Sequence, residues 1–182
     1  IAKNLDAPIH LSSISSSGAI ELIREAKKKE VRITADSTAH HLLLNEKAIV
    51  NYDSNAKTLP PLREEVDRQA LVQAVCDGTI DAITSGHQPY PEHEKKVEFD
   101  RAPAGVIGLE TAFASAFDSL VKHTDDPFPI IAKAMSMSPH KVLMLKPPGL
   151  KDGNLANLTI IQNNSKWTYF ATQGLSGAVN SP

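Results

Sequence analysis

The sequence predicts an α/β fold built on a parallel sheet. Two apolar runs, Ala7 to Ser12 and Val31 to Ala35, flank a stretch of helical period. That is the spacing of a βαβ unit, which implies parallel strands joined by a right-handed crossover. A third apolar run, Ile80 to Thr84, follows a second helical stretch and passes directly into a polar, loop-forming tail ending at Tyr90. The carboxyl ends of parallel strands are where β/α enzymes place their chemistry, so these tails are where a site is expected.

The elements follow in order. Ser13 to Gly18 is a loop of small polar residues able to cap a helix from Ala19 to Lys29, whose apolar positions are Ile20, Leu22, Ile23 and Ala26. The second strand ends in Ser37-Thr-Ala-His-His41, followed by the apolar run Leu42 to Leu44. Tyr52 to Pro61 reads as irregular. Arg63 to Asp77 has helical period, with a stop at Gly78. Ala102 to Gly108 is a turn punctuated by proline and glycine, and Leu109 to Val121 is apolar on nearly every face, as for a helix between two layers. Phe128 to Met135 and Pro139 to Leu145 read as two helices split by Ser136-Met-Ser138. Pro147-Pro148-Gly149 marks a boundary between residues 1–148 and 149–182. Beyond it, Leu158 to Gln162 and Trp167 to Phe170 read as β segments around an Asn163-Asn-Ser165 turn.

Composition narrows the function classes. With 41% hydrophobic and 22% charged residues, the chain is that of a globular protein, long enough at 182 residues for a real core. A net charge of -2 gives no basic face for nucleic acid or an anionic membrane. The one basic run, Lys27-Lys-Lys29, suits the end of a helix. No apolar stretch is long enough to span a bilayer. Cys76, alone among helix positions, has no partner for an internal disulfide, so a cytoplasmic location is expected.

Candidate chemistry gathers on histidines. His40-His41 at a strand end is the best metal candidate, although neighbours on an extended chain point to opposite sides and only one can face a site. His10 lies inside its strand and reads as a satisfied core residue. His87 follows a strand and precedes Pro89, which favours a site-lining role, but no carboxylate lies between Asp81 and Glu92 to orient it. The serine cluster at 12–17 lacks a G-x-S-x-G elbow, and no glycine loop has phosphate-cradling spacing. Spacing alone therefore gives a β/α fold with a histidine-lined mouth and no assembled machinery.

Several segments together resemble one family. Ile14-Ser-Ser-Ser-Gly-Ala-Ile-Glu-Leu-Ile23, Thr34-Ala-Asp-Ser-Thr-Ala-His-His-Leu42, Pro60-Pro-Leu-Arg63, Asp77-Gly-Thr-Ile-Asp81 and Gly108-Leu-Glu-Thr-Ala112 are similar, in order and spacing, to the carboxyl-terminal half of dihydroorotase, an amidohydrolase of pyrimidine synthesis. Pro139-His-Lys-Val142 fits the helix before that family's small β domain, and Asn180-Ser-Pro182 resembles a motif preceding its final strands. The resemblance implies the carboxyl-terminal half of a (β/α)8 amidohydrolase barrel, with its last four strands, plus part of a flanking β-sandwich. The family's His-x-His motif and bridging carboxylated Lys or Asp fall in the other half.

Carried over residue by residue, the family's site is dismantled. Its metal-binding His before Ile-Ser falls on Ser13, and its Pro-His-His motif survives as Ala39 with His40 or His41. Its substrate-binding Asn becomes Leu59. In Thr-Asp-His-Ala-Pro-His, the acid that ligates metal and acts as base becomes Gly86, and the last His becomes Tyr90. Ser13, Leu59, His87, Tyr90, Ala104 and Gly105 are then remnants of a substrate pocket, and His40 and His41 remnants of a metal site. Glycine can neither ligate nor accept a proton. The departures resemble noncatalytic dihydroorotase-like proteins that hold the aspartate carbamoyltransferase catalytic chain in a mixed assembly, with no cofactor expected. The alternative is an active zinc amidohydrolase with a rearranged site using His10, His40 or His41, and His87. Half a barrel also leaves strand edges unpaired, so association with the other half or with a second copy is expected.

Overall fold

The computed structural model describes residues 2–146, 149–162 and 165–182. Helix α1 (Ala2–Leu5) leads into strand β1 (Ile9–Leu11), helix α2 (Ser17–Lys28), strand β2 (Ile33–Thr38) and the short helix α3 (Ala39–Leu43). Helix α4 (Glu65–Cys76) precedes strand β3 (Ala82–Thr84), and helices α5 (Glu92–Lys95), α6 (Ala112–Leu120), α7 (Phe128–Ala132) and α8 (Ser138–Val142) follow. The three strands form one parallel sheet in the order β1-β2-β3, pairing Ile9 with Ile33 and Asp36 with Ala82.

Each unit is held by local chemistry. Ser16 caps α2 by accepting from the Ala19 amide at 3.4 Å, and the helix buries Ile20 and Ile23 against the sheet. Burying such a side chain contributes about 1.5–3 kcal/mol. Lys27 does not sit free at the helix end. Its ammonium grips both Asp81 carboxylate oxygens at 2.8 and 2.9 Å, while Asp81 accepts from the Ala35 amide at 2.9 Å, so the basic run aligns β3 with β2. The core continues through Leu42, Leu71, Val72, Ile80 and Leu120, none more than 1% exposed.

Several expectations are corrected. Strand β2 extends past Ala35 through Asp36, Ser37 and Thr38, because each of these buried polar residues finds a partner: Ser37 Oγ, for example, donates to the Ile14 carbonyl at 2.8 Å. The His40-His41 pair is therefore not on an extended tail. Thr38 caps α3 by accepting from the His41 amide, and the pair forms its first turn together with Leu42 and Leu43. The helix expected from Leu109 begins at Ala112, since Leu109 is 66% exposed and residues 109–111 form a turn. A turn of π-helix over Lys133–Met137 joins α7 to α8, so the Ser136-Met-Ser138 segment continues the helix it was expected to split.

The expected fourth strand is reduced to one bridge, between His87 and Val106. The β segments at Leu158 to Gln162 and Trp167 to Phe170 are not strands. A strand needs a neighbour for its amides and carbonyls, and these stretches find none among the described residues. The expected boundary at Pro147-Pro148 and the turn at Asn163-Asn164 lie outside the described residues. The outer edge of β1 is likewise unpaired within the described chain, and none of the described helices is long and apolar enough to cross a membrane.

Candidate functional site

The three strand ends, the stretch before Pro60 and the loop after β3 enclose a pocket of about 250 Å³. Ser13 reaches it from β1, His40 from α3, Leu59 from the irregular stretch, Gly86 and His87 from the loop after β3, and Gly105 from the segment opposite. Five of the expected remnant residues thus converge in space with Gly86. The rest of the wall is Ser12, Thr38, Thr58, Thr84, Gln88 and Val106, so it contains neither a carboxylate nor a lysine or arginine.

The other expected residues stand outside this wall. His41 is 2% exposed and faces away, its Nδ1 on the Thr38 hydroxyl at 2.6 Å and its Nε2 on the Pro60 carbonyl at 3.0 Å. Helical geometry, not strand alternation, sends it there. Burial is the main cause pulling its pKa below the ordinary histidine value. Ala104 does not line the pocket; the backbone reaches it only at Gly105, whose amide donates to the Lys57 carbonyl at 2.8 Å. Tyr90 lies behind Gly105, where an added Cβ would come within 2.7 Å of the tyrosine ring. Its ring also lies 5.8 Å below the Lys95 ammonium.

His10 is satisfied but not in the core. Its Nδ1 meets the Thr34 hydroxyl at 2.8 Å and its Nε2 meets Asp36 at 2.9 Å, on an exposed sheet edge. Asp36 is the residue the sequence reading passed over. Only 3% exposed, it also accepts from the Ser13 amide at 2.8 Å and the Ser12 hydroxyl at 3.0 Å. Its carboxylate sits beneath the pocket and ties two strand ends together. The signal for it was an acid inside a strand otherwise buried.

His40 is packed against glycine. A Cβ on Gly86 would lie 2.5 Å from His40 Cε1, 3.0 Å from its Nδ1 and 2.8 Å from Thr38 Cγ2. Gly86 also has φ +58°, in the left-handed region that other L-residues enter at a cost. His40 Nδ1 is buried without a hydrogen-bond partner. Burial and, secondarily, the neighbouring His41 drop the His40 pKa to about 3, with a Ser85 backbone contact opposing them. The ring is therefore neutral at physiological pH.

Among the described residues, no donor set is assembled for the zinc that an amidohydrolase fold implies. His40 Nδ1 is sealed under Gly86. His87 Nδ1 accepts from the Gly108 and Leu109 amides at 3.2 and 3.3 Å, so in the neutral ring the proton occupies Nε2, the nitrogen left to face the pocket. His10 and His41 have both nitrogens engaged. Among the described residues, no three histidine, cysteine or acidic side chains converge as a metal group.

The loop carrying this pocket is held from below and behind. Lys57 donates to the Phe99 and Ala102 carbonyls at 2.7 Å each, and Lys95, 3% exposed, to the Pro103 and Gly105 carbonyls at 2.9 and 3.1 Å. Asn180 is fully buried. It accepts from the Tyr90 amide at 3.0 Å and donates to the Gln88 and Gly105 carbonyls at 2.8 and 2.9 Å.

A pocket at the carboxyl ends of parallel strands, backed by helices, is the arrangement found in part of a (β/α)8 barrel. The L-hydantoinase (dihydropyrimidinase) of Arthrobacter aurescens superposes with a TM-score of 0.72 at 21% identity, over 78% of this chain and 32% of that one. A dihydropyrimidinase from Brevibacillus agri gives 0.70 at 21% identity, over 77% and 32%. Sequence narrows the likeness, because over its whole length the chain is similar to dihydroorotases. It is 46% identical over 182 residues to the dihydroorotase of Elusimicrobium minutum and 39% to that of a Thermoanaerobacter species. The chain spans only 42% of the length of either relative. No family model matches it.

Proposed function

We propose that this chain is part of a noncatalytic dihydroorotase-like protein whose role is to hold the aspartate carbamoyltransferase catalytic chain in a larger assembly. One observation carries the reading: a pocket kept in shape while the position of the family's acid is a glycine with a neutral imidazole packed onto it. Amide hydrolysis at such a site needs a base and a polarised water. The wall offers hydroxyls, an amide and two histidines, and Asp36 is already committed to four donors at 2.8 to 3.4 Å. What selection would keep in such a protein is its framework. The unpaired edge of β1 and the extended apolar residues Ile160 and Trp167, 97% and 57% exposed, offer surface for the remainder of the protein, a second copy or the partner.

The test is copurification of the full-length protein with the transcarbamoylase, together with a dihydroorotate hydrolysis assay. Association that changes the size of the transcarbamoylase, with no hydrolysis, is the expected result. Hydrolysis with stoichiometric zinc, or no association, overturns the proposal.

A further inference from the structure

We infer that His40 and Gly86 form a steric interlock, in which the imidazole occupies the volume a side chain at position 86 would need. The inference rests on the noncatalytic reading above and deepens it. Loss of the acid and burial of the histidine become one structural change instead of two. Replacing the glycine alone would not rebuild a metal site.

The geometry makes the two positions mutually exclusive. A Cβ at 86 would sit 2.5 Å from one ring atom of His40, closer than real Cβ contacts come, and a tight 3.0 Å from another. Leu42 and Ala39 on the same short helix, 0% and 2% exposed, fix its backbone in the core, so the ring itself would have to rotate toward the pocket to make room. His40 Nδ1 has no hydrogen-bond partner. That nitrogen is covered by packing rather than by a polar partner, and part of the covering surface is the bare α-carbon of Gly86. The second obstacle at this position, Thr38 Cγ2 at 2.8 Å, sits on the strand that ends at the helix. Position 40 is thus a plug, and position 86 the socket that must stay empty.

A double-mutant cycle in the full-length protein tests this, with urea-denaturation midpoints for the native protein, Gly86→Ala, His40→Ala and the double variant. The positive φ of residue 86 strains alanine in both backgrounds, so it cancels from the coupling. The expected result is a large loss of midpoint for Gly86→Ala alone, cut to about half or less when His40 is already alanine. Equal losses in both backgrounds overturn the interlock. If Gly86→Ala fails to fold, a folded double variant supports the inference, and an unfolded double variant beside a folded His40→Ala overturns it. The outcome is separable from the assembly role. Additivity would leave copurification with the transcarbamoylase unaffected, whereas hydrolysis by the native protein would refute the noncatalytic reading with the coupling still in place.

Discussion

Replacing Asn180 with alanine removes the bond that joins the end of the described chain to the loop after β3. Three backbone groups lose a side-chain partner: the Tyr90 amide and the Gln88 and Gly105 carbonyls. They do not lose equally. The Gly105 carbonyl keeps the Lys95 ammonium at 3.1 Å, while the Tyr90 amide and Gln88 carbonyl have no other side-chain partner among the described residues and are part-buried. Each such group costs about 1–2 kcal/mol, and with the small cavity left by a fully buried side chain the total is about 3 kcal/mol. Asn180 also accepts from the Ile107 amide through its own carbonyl at 2.9 Å, a bond that alanine retains, so the segment stays docked while the loop loosens. Urea denaturation of Asn180→Ala measures the loss, and hydrogen exchange at residues 86–107 localises it. A loss below about 1 kcal/mol, or exchange spread evenly over the protein, refutes the reasoning.

Two further outcomes follow from the same contacts. His40 titrates at about 3 when folded against an ordinary 6.5, so between those values the unfolded chain binds a proton that the folded one refuses. Its contribution to stability is complete above about pH 6.5 and is lost as pH falls toward 3, at up to about 1.4 kcal/mol per pH unit. Denaturation of the native protein and His40→Gln from pH 7 to 4 should show the shallower pH dependence in the variant, and parallel curves would contradict the assignment. Lys95→Met keeps the stem but leaves the Pro103 and Gly105 carbonyls short of a donor, at a cost of about 1–3 kcal/mol, read as a lower urea midpoint with faster proteolysis between Tyr90 and Ala104. An unchanged midpoint and cleavage pattern would remove Lys95 from the strapping of this loop.

Much of the fold was legible because its signals are local. Helical period with a serine cap marks α2, glycine after Asp77 marks the end of α4, and short apolar runs mark three strands. The expected elements failed where a partner elsewhere in the chain decides the outcome. Asp36, Ser37 and Thr38 look like a polar tail, yet they are strand because they pair with Ala82, Ile83 and Thr84 of β3, while Ser12, Ser13, Ile14 and His41 satisfy their side chains. Leu158 to Gln162 looks like strand, yet remains without a ladder because no neighbour reaches it among the described residues. The same division holds within the site. Ser13, His40, Leu59, Gly86, His87 and Gly105 stand out by their motifs and share one pocket, while Asp36, Lys57, Lys95 and Asn180 carry no motif and act only through contacts 8 to 92 residues away in sequence.

By itself, the sequence determined that this is a parallel α/β chain similar to dihydroorotases, and the resemblance implies that glycine stands at position 86 where those proteins carry an acid. These are matters of residue type and spacing, which a linear string carries in full. Only the tertiary structure decided which histidine faces the pocket and what packs against Gly86. The cap on α3 turns His41 into the core and lays the His40 ring on Gly86, a contact between residues 46 apart that sequence spacing cannot report.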